Sequence, residues 1–343
     1  MLKNSYKMLF LLTLMTGTLI SISSSSWFSI WMGLEINLLS FIPLMMKSNN
    51  LFSSEASLKY FLTQALASST LLFSIILLFI FSLKMKKNLD FFINIIFISS
   101  LMMKMGMAPF HFWFPIVMEG LNWINSMILM TWQKIAPMIL LSYCMNFNFL
   151  IFSIFMSTIF GAIGGLNQIS LRKLMAFSSI NHLGWMTASI LNNQNIWKVY
   201  FLFYCFLSIS VVIIFNNFKF FNLNQIFSFM TFKNLIKTII FIPLLSLGGL
   251  PPFLGFFPKW IVIEHLMSLN FFILLLTMIY FTLITLFFYI RISYSAFLLN
   301  HNEMNWNLNF IYFINNKNFK LQSLILFISI FGLIFINLLF FIV

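Results

Sequence analysis

Charge is what this 343-residue chain has least of: charged residues make up 7% of it, and only six are acidic. Soluble globular domains carry about 25% charge, so a soluble globular protein is excluded. Disorder is excluded too, because disordered chains are poor in aromatics and this one holds 48 Phe. Cysteine is almost missing. Cys144 and Cys205 are solitary within apolar stretches, which rules out a disulfide framework, a zinc site or an iron–sulfur ligand set within the chain. The four histidines, His111, His182, His265 and His301, are far apart and make no i, i+4 pair, so metal or haem ligation is not expected. There is no Gly-rich phosphate loop, no nucleophile elbow and no clustered carboxylate pair.

What is present is apolar. Hydrophobic residues are 61% of the chain, and lipid is the solvent that hides so many. A bilayer crossing takes about 20 apolar residues. Apolar runs bounded by polar, Pro or Gly punctuation place helices at 8–23, 26–46, 55–82, 91–107, 122–143, 149–169, 173–192, 196–217, 235–265 (interrupted), 269–295 and 320–342. The expected fold is therefore an all-α polytopic membrane protein with about eleven transmembrane helices in a single membrane domain over 1–343. The first run could be a signal peptide, with Lys3 and Lys7 before an apolar core and small residues at 21–23. A first membrane helix is the favoured reading, since everything downstream is membrane too.

The formal net charge of +13 does not indicate nucleic acid, because the basic residues are dispersed and only Lys84, Lys86 and Lys87 form a run. Sorted by loop, Lys3, Lys7, Lys47, Lys59, Arg172, Lys173, Lys219, Lys233, Lys237, Arg291, Lys317 and Lys320 fall on the N-terminal side. Lys84, Lys86, Lys87 and Lys198 fall on the other. The positive-inside rule then places the N-terminus in a bacterial cytoplasm or a mitochondrial matrix, and the C-terminus on the far side.

Two Pro-interrupted stretches repeat each other. Gly106-Met-Ala-Pro109-Phe110-His-Phe-Trp-Phe114-Pro115 and Gly249-Leu-Pro-Pro252-Phe253-Leu-Gly-Phe-Phe257-Pro258 align as G-x-x-P-F-x-x-x-F-P. Proline removes a backbone donor and clashes with the preceding turn, so each stretch is expected to break a helix in mid-membrane, its freed carbonyls facing protein or water. Paired broken helices point to ion sites. Loop prolines at a membrane surface are the alternative.

Four charges remain inside expected spans: Glu35, Lys104, Lys134 and Lys259. Each costs roughly 2.5–3.5 kcal/mol at a helix centre. A structural ion pair or a snorkelling lysine would account for one of them; four together suggest chemistry. Burial disfavours an ammonium and a carboxylate within about 4–6 Å restores it, so a buried Lys beside a movable Glu is a switchable proton site. Water, Ser178, Ser179, Asn181 and His182 are candidate bridges, and His182 either titrates in the useful range or serves as an interhelical hydrogen bonder. Glu119 and Glu264, beside the interrupted stretches, read as interfacial or partner contacts.

The strings WMGLEINLLSF (31–41), MKMGMAPFHFWFP (103–115), TWQKIAP (131–137), GAIGGLNQISLRKLMAFSSINHLGW (161–185) and LSLGGLPPFLGFFPKW (245–260) closely resemble the antiporter-like, proton-pumping membrane subunits of respiratory complex I. The resemblance covers nearly the whole chain. The Phe, Met, Ile and Asn bias resembles the products of AT-rich mitochondrial genomes such as those of insects. The resemblance implies two inverted five-helix repeats, approximately 8–143 and 149–295, with a C-terminal helix at 320–342. It implies Glu35 as the first-half glutamate, Lys104 as its partner, Lys134 as the central lysine and Lys259 as the lysine of the second broken helix; His182 as a relay rests instead on its own titration range. No cofactor is expected on this chain; NADH, FMN, iron–sulfur clusters and ubiquinone are expected in other subunits. The implied partners are other complex I membrane subunits, neighbouring antiporter-like chains among them, and membrane lipids, with no nucleic acid. The implied location is the mitochondrial inner membrane, multi-pass. Bacterial members of the family carry three further N-terminal helices, so a partner is expected to cover the surface they would occupy. A free-standing cation/proton antiporter and a purely structural spacer are the alternatives from other classes.

Overall fold

The computed structural model describes residues 5–46, 50–82, 87–144, 146–191, 195–229, 234–299 and 322–333. Lys3, Lys47, Lys84, Lys86, Lys233, His301, Lys317, Lys320 and both ends of the helix expected at 320–342 lie outside the described residues. Among the described residues the structure is helical, with one isolated antiparallel bridge between Ser170 and Asn222. The chain forms two compact units, Met1–Ser157 and Thr158–Val343.

The first unit contains α1 (Ser5–Ser23), α2 (Trp27–Met45), α3 (Leu51–Ser82), α4 (Lys87–Met105), α5 (Trp113–Gly120), α6 (Trp123–Met130) and α7 (Trp132–Tyr143). Ser26 starts α2 by accepting a hydrogen bond from the Ser29 amide at 3.3 Å, the usual serine N-cap. α1 and α2 touch backbone to backbone. A Cβ on Gly33 would come within 2.7 Å of the Ser21 amide nitrogen, and one on Gly17 within 3.0 Å of that of Asn37. Small residues allow this approach where no hydrophobic force drives helices together. α1 packs on both α2 and α7, α3 on α2, α4 and α5, and α4 also on α7.

α8 (Phe147–Gly165) follows, and the second unit continues with α9 (Leu171–Ile190), α10 (Ile196–Phe218), α11 (Leu223–Phe229), α12 (Asn234–Gly248), α13 (Phe256–Ser268) and α14 (Phe272–Tyr294). A π-helical turn over Ser295–Leu299 and a helix over Gln322–Leu333 complete it. α9 is its centre: every residue from Ser178 to Ile190 is buried. α10, α13 and α14 pack around it.

Seven described helices are long and apolar enough to cross a bilayer, fewer than the eleven spans expected. The described parts of the spans expected at 91–107 and 320–342 are shorter apolar helices, Phe91–Met105 and Gln322–Leu333; for the other two the difference has a physical cause. α9 is wrapped by protein and tolerates polar residues that a lipid-facing helix would not, while α12 ends at a break after only 15 residues. The sequence pattern also missed α5 and α11; the span expected at 122–143 is a single crossing made of α6 and α7. Buried hydroxyls are satisfied within their own helices, as where Ser74 Oγ donates to the Leu71 carbonyl at 2.6 Å and Ser157 Oγ to that of Ile154 at 3.0 Å. This lets serine-rich segments sit in apolar surroundings.

Candidate functional site

Both repeated motifs break a helix in the same way. α4 ends at Met105 and Gly106 takes a left-handed conformation (φ 71°); α12 ends at Gly248 and Gly249 does the same (φ 83°). Glycine alone adopts this conformation without a Cβ penalty, which is why it closes helices at this position. The prolines then keep the helix from resuming until α5 and α13. The first turn is lined by buried Met107, Ala108 and His111, whereas Pro251 and Pro252 of the second are exposed.

The carbonyls released at each break are taken up by protein, as expected of non-helical backbone at membrane depth. In the first unit Trp113 Nε1 donates to the Met103 carbonyl at 3.1 Å and Gln64 Nε2 to that of Lys104 at 3.3 Å. In the second, Lys259 Nζ donates to the Gly248 carbonyl at 2.8 Å. That carbonyl is the negative end of the α12 dipole, a favourable place for a cation. Lys259 also lies so close to Gly249 that a Cβ there would stand 2.8 Å from its Nζ.

Glu35, Lys104 and Lys134 belong to the first unit. Lys104, in the last turn of α4, is 8% exposed, and the Glu35 carboxylate is close enough to act on it electrostatically. Glu35 Oε2 is buried and has no hydrogen-bond partner among the described residues. Lys134 is 1% exposed, in the first turn of α7, and its Nζ lies 5.4 Å from the centre of the Phe114 ring. That ring face attracts a cation. Phe114 is itself pressed against Gly106, where a Cβ would meet its Cβ at 2.9 Å. The break at Gly106, the aromatic of the repeat and the Lys134 ammonium are therefore stacked in sequence.

Lys259 and His182 belong to the second unit, on helices α13 and α9 that pack together. Lys259 is 6% exposed. His182 Nδ1 is 2.9 Å from the Tyr200 hydroxyl, and the Tyr204 ring stands 5.2 Å from the imidazole. Tyr204 shares a hydrogen bond with Ser179, and Asn181 Nδ2 donates to Thr285 Oγ1 at 3.4 Å. The bridging groups expected around His182 thus face α10 and α14. Tyr200 and Tyr204 escaped the sequence reading because a tyrosine in an apolar run looks like packing. Lys237, expected as a loop charge, is instead buried within α12; its position three residues inside that helix was the available signal. Glu119 and Glu264 are exposed, and Lys59 is used in an exposed pair with Glu55 at 2.6 Å. Such a pair contributes little on its own.

Among the described residues no cluster of three or more His, Cys, Asp or Glu side chains could hold a metal. Residues 24–285 match the model of the family described as NADH:quinone oxidoreductase/Mrp antiporter, TM. A protein of Anopheles gambiae named NADH-ubiquinone oxidoreductase chain 2 is 55% identical, over 97% of this chain and 97% of its own. Its namesake in Locusta migratoria is 50% identical over 89% and 90%. In fold the chain is similar to one in respiratory complex I from Thermus thermophilus with bound aureothin, at a TM-score of 0.81 and 21% identity, covering 96% of this chain and 79% of that one.

Proposed function

Because the chain belongs to the NADH:quinone oxidoreductase/Mrp antiporter membrane family, we propose that it carries protons through Glu35, Lys104, Lys134 and Lys259 as a membrane subunit of NADH-ubiquinone oxidoreductase. Electron transfer from NADH to ubiquinone takes place in other subunits, which hold the FMN and iron–sulfur clusters. Its neighbours are further membrane subunits, antiporter-like chains among them, and lipids. The location is the mitochondrial inner membrane. The membrane domain is organised as a first half over about 8–143, a second over about 149–295 and a C-terminal helix.

The observation that carries this reading is the burial of three lysines, Lys104, Lys134 and Lys259, at or beside breaks in apolar helices. An ammonium in such a place is expensive unless function retains it. Each has a distinct counter-element: a carboxylate for Lys104, an aromatic face for Lys134, a helix-end carbonyl for Lys259. A change in the charge beside a buried ammonium shifts its hold on the proton. Redox turnover would alter the Glu35–Lys104 interaction, and Lys134 and Lys259 would respond, moving protons from matrix to intermembrane space.

The chain, tagged and purified from mitochondria in mild detergent, is expected in a large NADH-oxidising assembly. Recovery as an isolated protein that exchanges a cation for protons in liposomes would overturn this reading in favour of a free-standing antiporter. The charge distribution supports an N-terminus in the matrix and a C-terminus toward the intermembrane space. An N-terminal tag is expected to resist protease added to mitoplasts; cleavage there would reverse the orientation.

A further inference from the structure

α2 carries Glu35 and α7 carries Lys134, yet few backbone positions of the two helices approach each other; each packs instead on α1. A side-chain hydrogen bond spans the gap. Gln133 Nε2 donates to Asn37 Oδ1 at 2.9 Å, between residues 96 apart in the chain. Asn37 is 3% exposed, so its amide has little water to replace that partner.

The positions of both residues give the bond leverage. Asn37 lies two residues beyond Glu35, nearly opposite it around the helix at 3.6 residues per turn. α2 thus has the acid directed to one side and the amide to the other. Gln133 is adjacent to Lys134 in the first turn of α7, just after the helical path is interrupted at Thr131 (φ −110°, ψ −71°). A first turn lacks part of the helix hydrogen bonding, so its placement depends on outside contacts. On the α1 side, the close approach of Gly17 to Asn37 and of Gly33 to Ser21 seats α2 directly against the α1 backbone. A shift of α2 that answers a change at Glu35 would be carried by Asn37 to Gln133.

We propose that the Asn37–Gln133 hydrogen bond is a coupling element of the proton route, transmitting the charge state of Glu35 to the position of Lys134 over Phe114. Both are positioning residues that touch no transferred proton. The proposal rests on the proton-carrying reading above.

The test is a double-mutant cycle in the assembled complex, with proton translocation expressed per NADH oxidised so that the amount of enzyme cancels. Asn37→Leu and Gln133→Met keep the approximate outline of the side chains and remove the bond. Each is expected to lower the part of the ratio carried by this chain roughly two- to tenfold, the range of one buried hydrogen bond. The double variant should be no worse than either single, because both remove the same interaction. The exchanged pair, Asn37→Gln with Gln133→Asn, should recover the ratio. Single variants that pump like the parent, or losses that multiply in the double, would overturn the proposal. If Asn37→Leu does not assemble, Gln133→Met, at a half-buried position, and the exchanged pair decide it. Lys134→Met in the same assay separates the two levels. If it pumps normally the underlying reading falls; if it fails while the bond variants pump normally, only the coupling element falls.

Discussion

Lys134→Met is expected to stop proton translocation through the first unit, reducing the protons moved per NADH oxidised or stalling turnover. Methionine has nearly the length of lysine and no charge, so the packing around a side chain that is 1% exposed persists. Loss of the ammonium removes a desolvation penalty of roughly 2.5–3.5 kcal/mol, so assembly should not suffer. The loss is then a loss of chemistry. A positioned proton-transfer group contributes about 10²–10⁴ in rate, and translocation through this route should fall to the leak level on that scale. The check is proton uptake and NADH oxidation in reconstituted complex, with assembly followed on native gels. Unchanged pumping in a fully assembled complex would discard Lys134 as a proton site. A spacer with no part in translocation would also tolerate neutral replacement of Glu35, Lys104 and Lys259.

The second large effect is expected at a residue without a functional group. Gly249→Ala places a methyl where the backbone is left-handed (φ 83°) and 2.8 Å from Lys259 Nζ. The conformation alone costs about 1–2 kcal/mol for a residue with a Cβ. Relieving the clash moves the ammonium off the Gly248 carbonyl it holds at 2.8 Å. Pumping should be impaired nearly as much as in Lys259→Met, with reduced thermal stability of the complex in addition. Gly248→Ala is the control: its methyl would meet Tyr289 at 3.3 Å and nothing else closer than 3.9 Å, and its effect should be small. If both variants pump alike and normally, the Gly248 carbonyl does not hold Lys259 in the working enzyme.

Much of this site was legible because membranes make exceptions visible. Pro cannot continue a helix and Gly closes one, so the two breaks stood out in apolar runs. Gly106, just after α4, and Gly249, just after α12, are both the first residue of the repeated motif. The interruption at Thr131 was not legible. No Pro or Gly marks it, and the Thr131 hydroxyl bonds back to the Met127 carbonyl at 2.7 Å as an ordinary helical threonine would. Lys237 was misread because charge near an expected helix end looks like a loop anchor until the surrounding helices are known. Tyr200 was silent for a related reason: an aromatic with a polar tip satisfies an apolar pattern whether or not its hydroxyl meets an imidazole.

Composition and spacing alone determined that the chain lives in lipid, that it is helical, where two helices break, and that four charges, Glu35, Lys104, Lys134 and Lys259, fall within apolar stretches. They determined these things because hydrophobic burial and backbone satisfaction act locally, residue by residue. Which partner each charge meets was decided only by the tertiary structure. Glu35 acting on Lys104, Lys134 over Phe114, Lys259 on the Gly248 carbonyl and Gln133 on Asn37 are meetings of segments separated in sequence. The strength of a charge or hydrogen bond in a dry interior depends on distances of a few ångströms, and those distances follow from how helices pack, which no local pattern specifies.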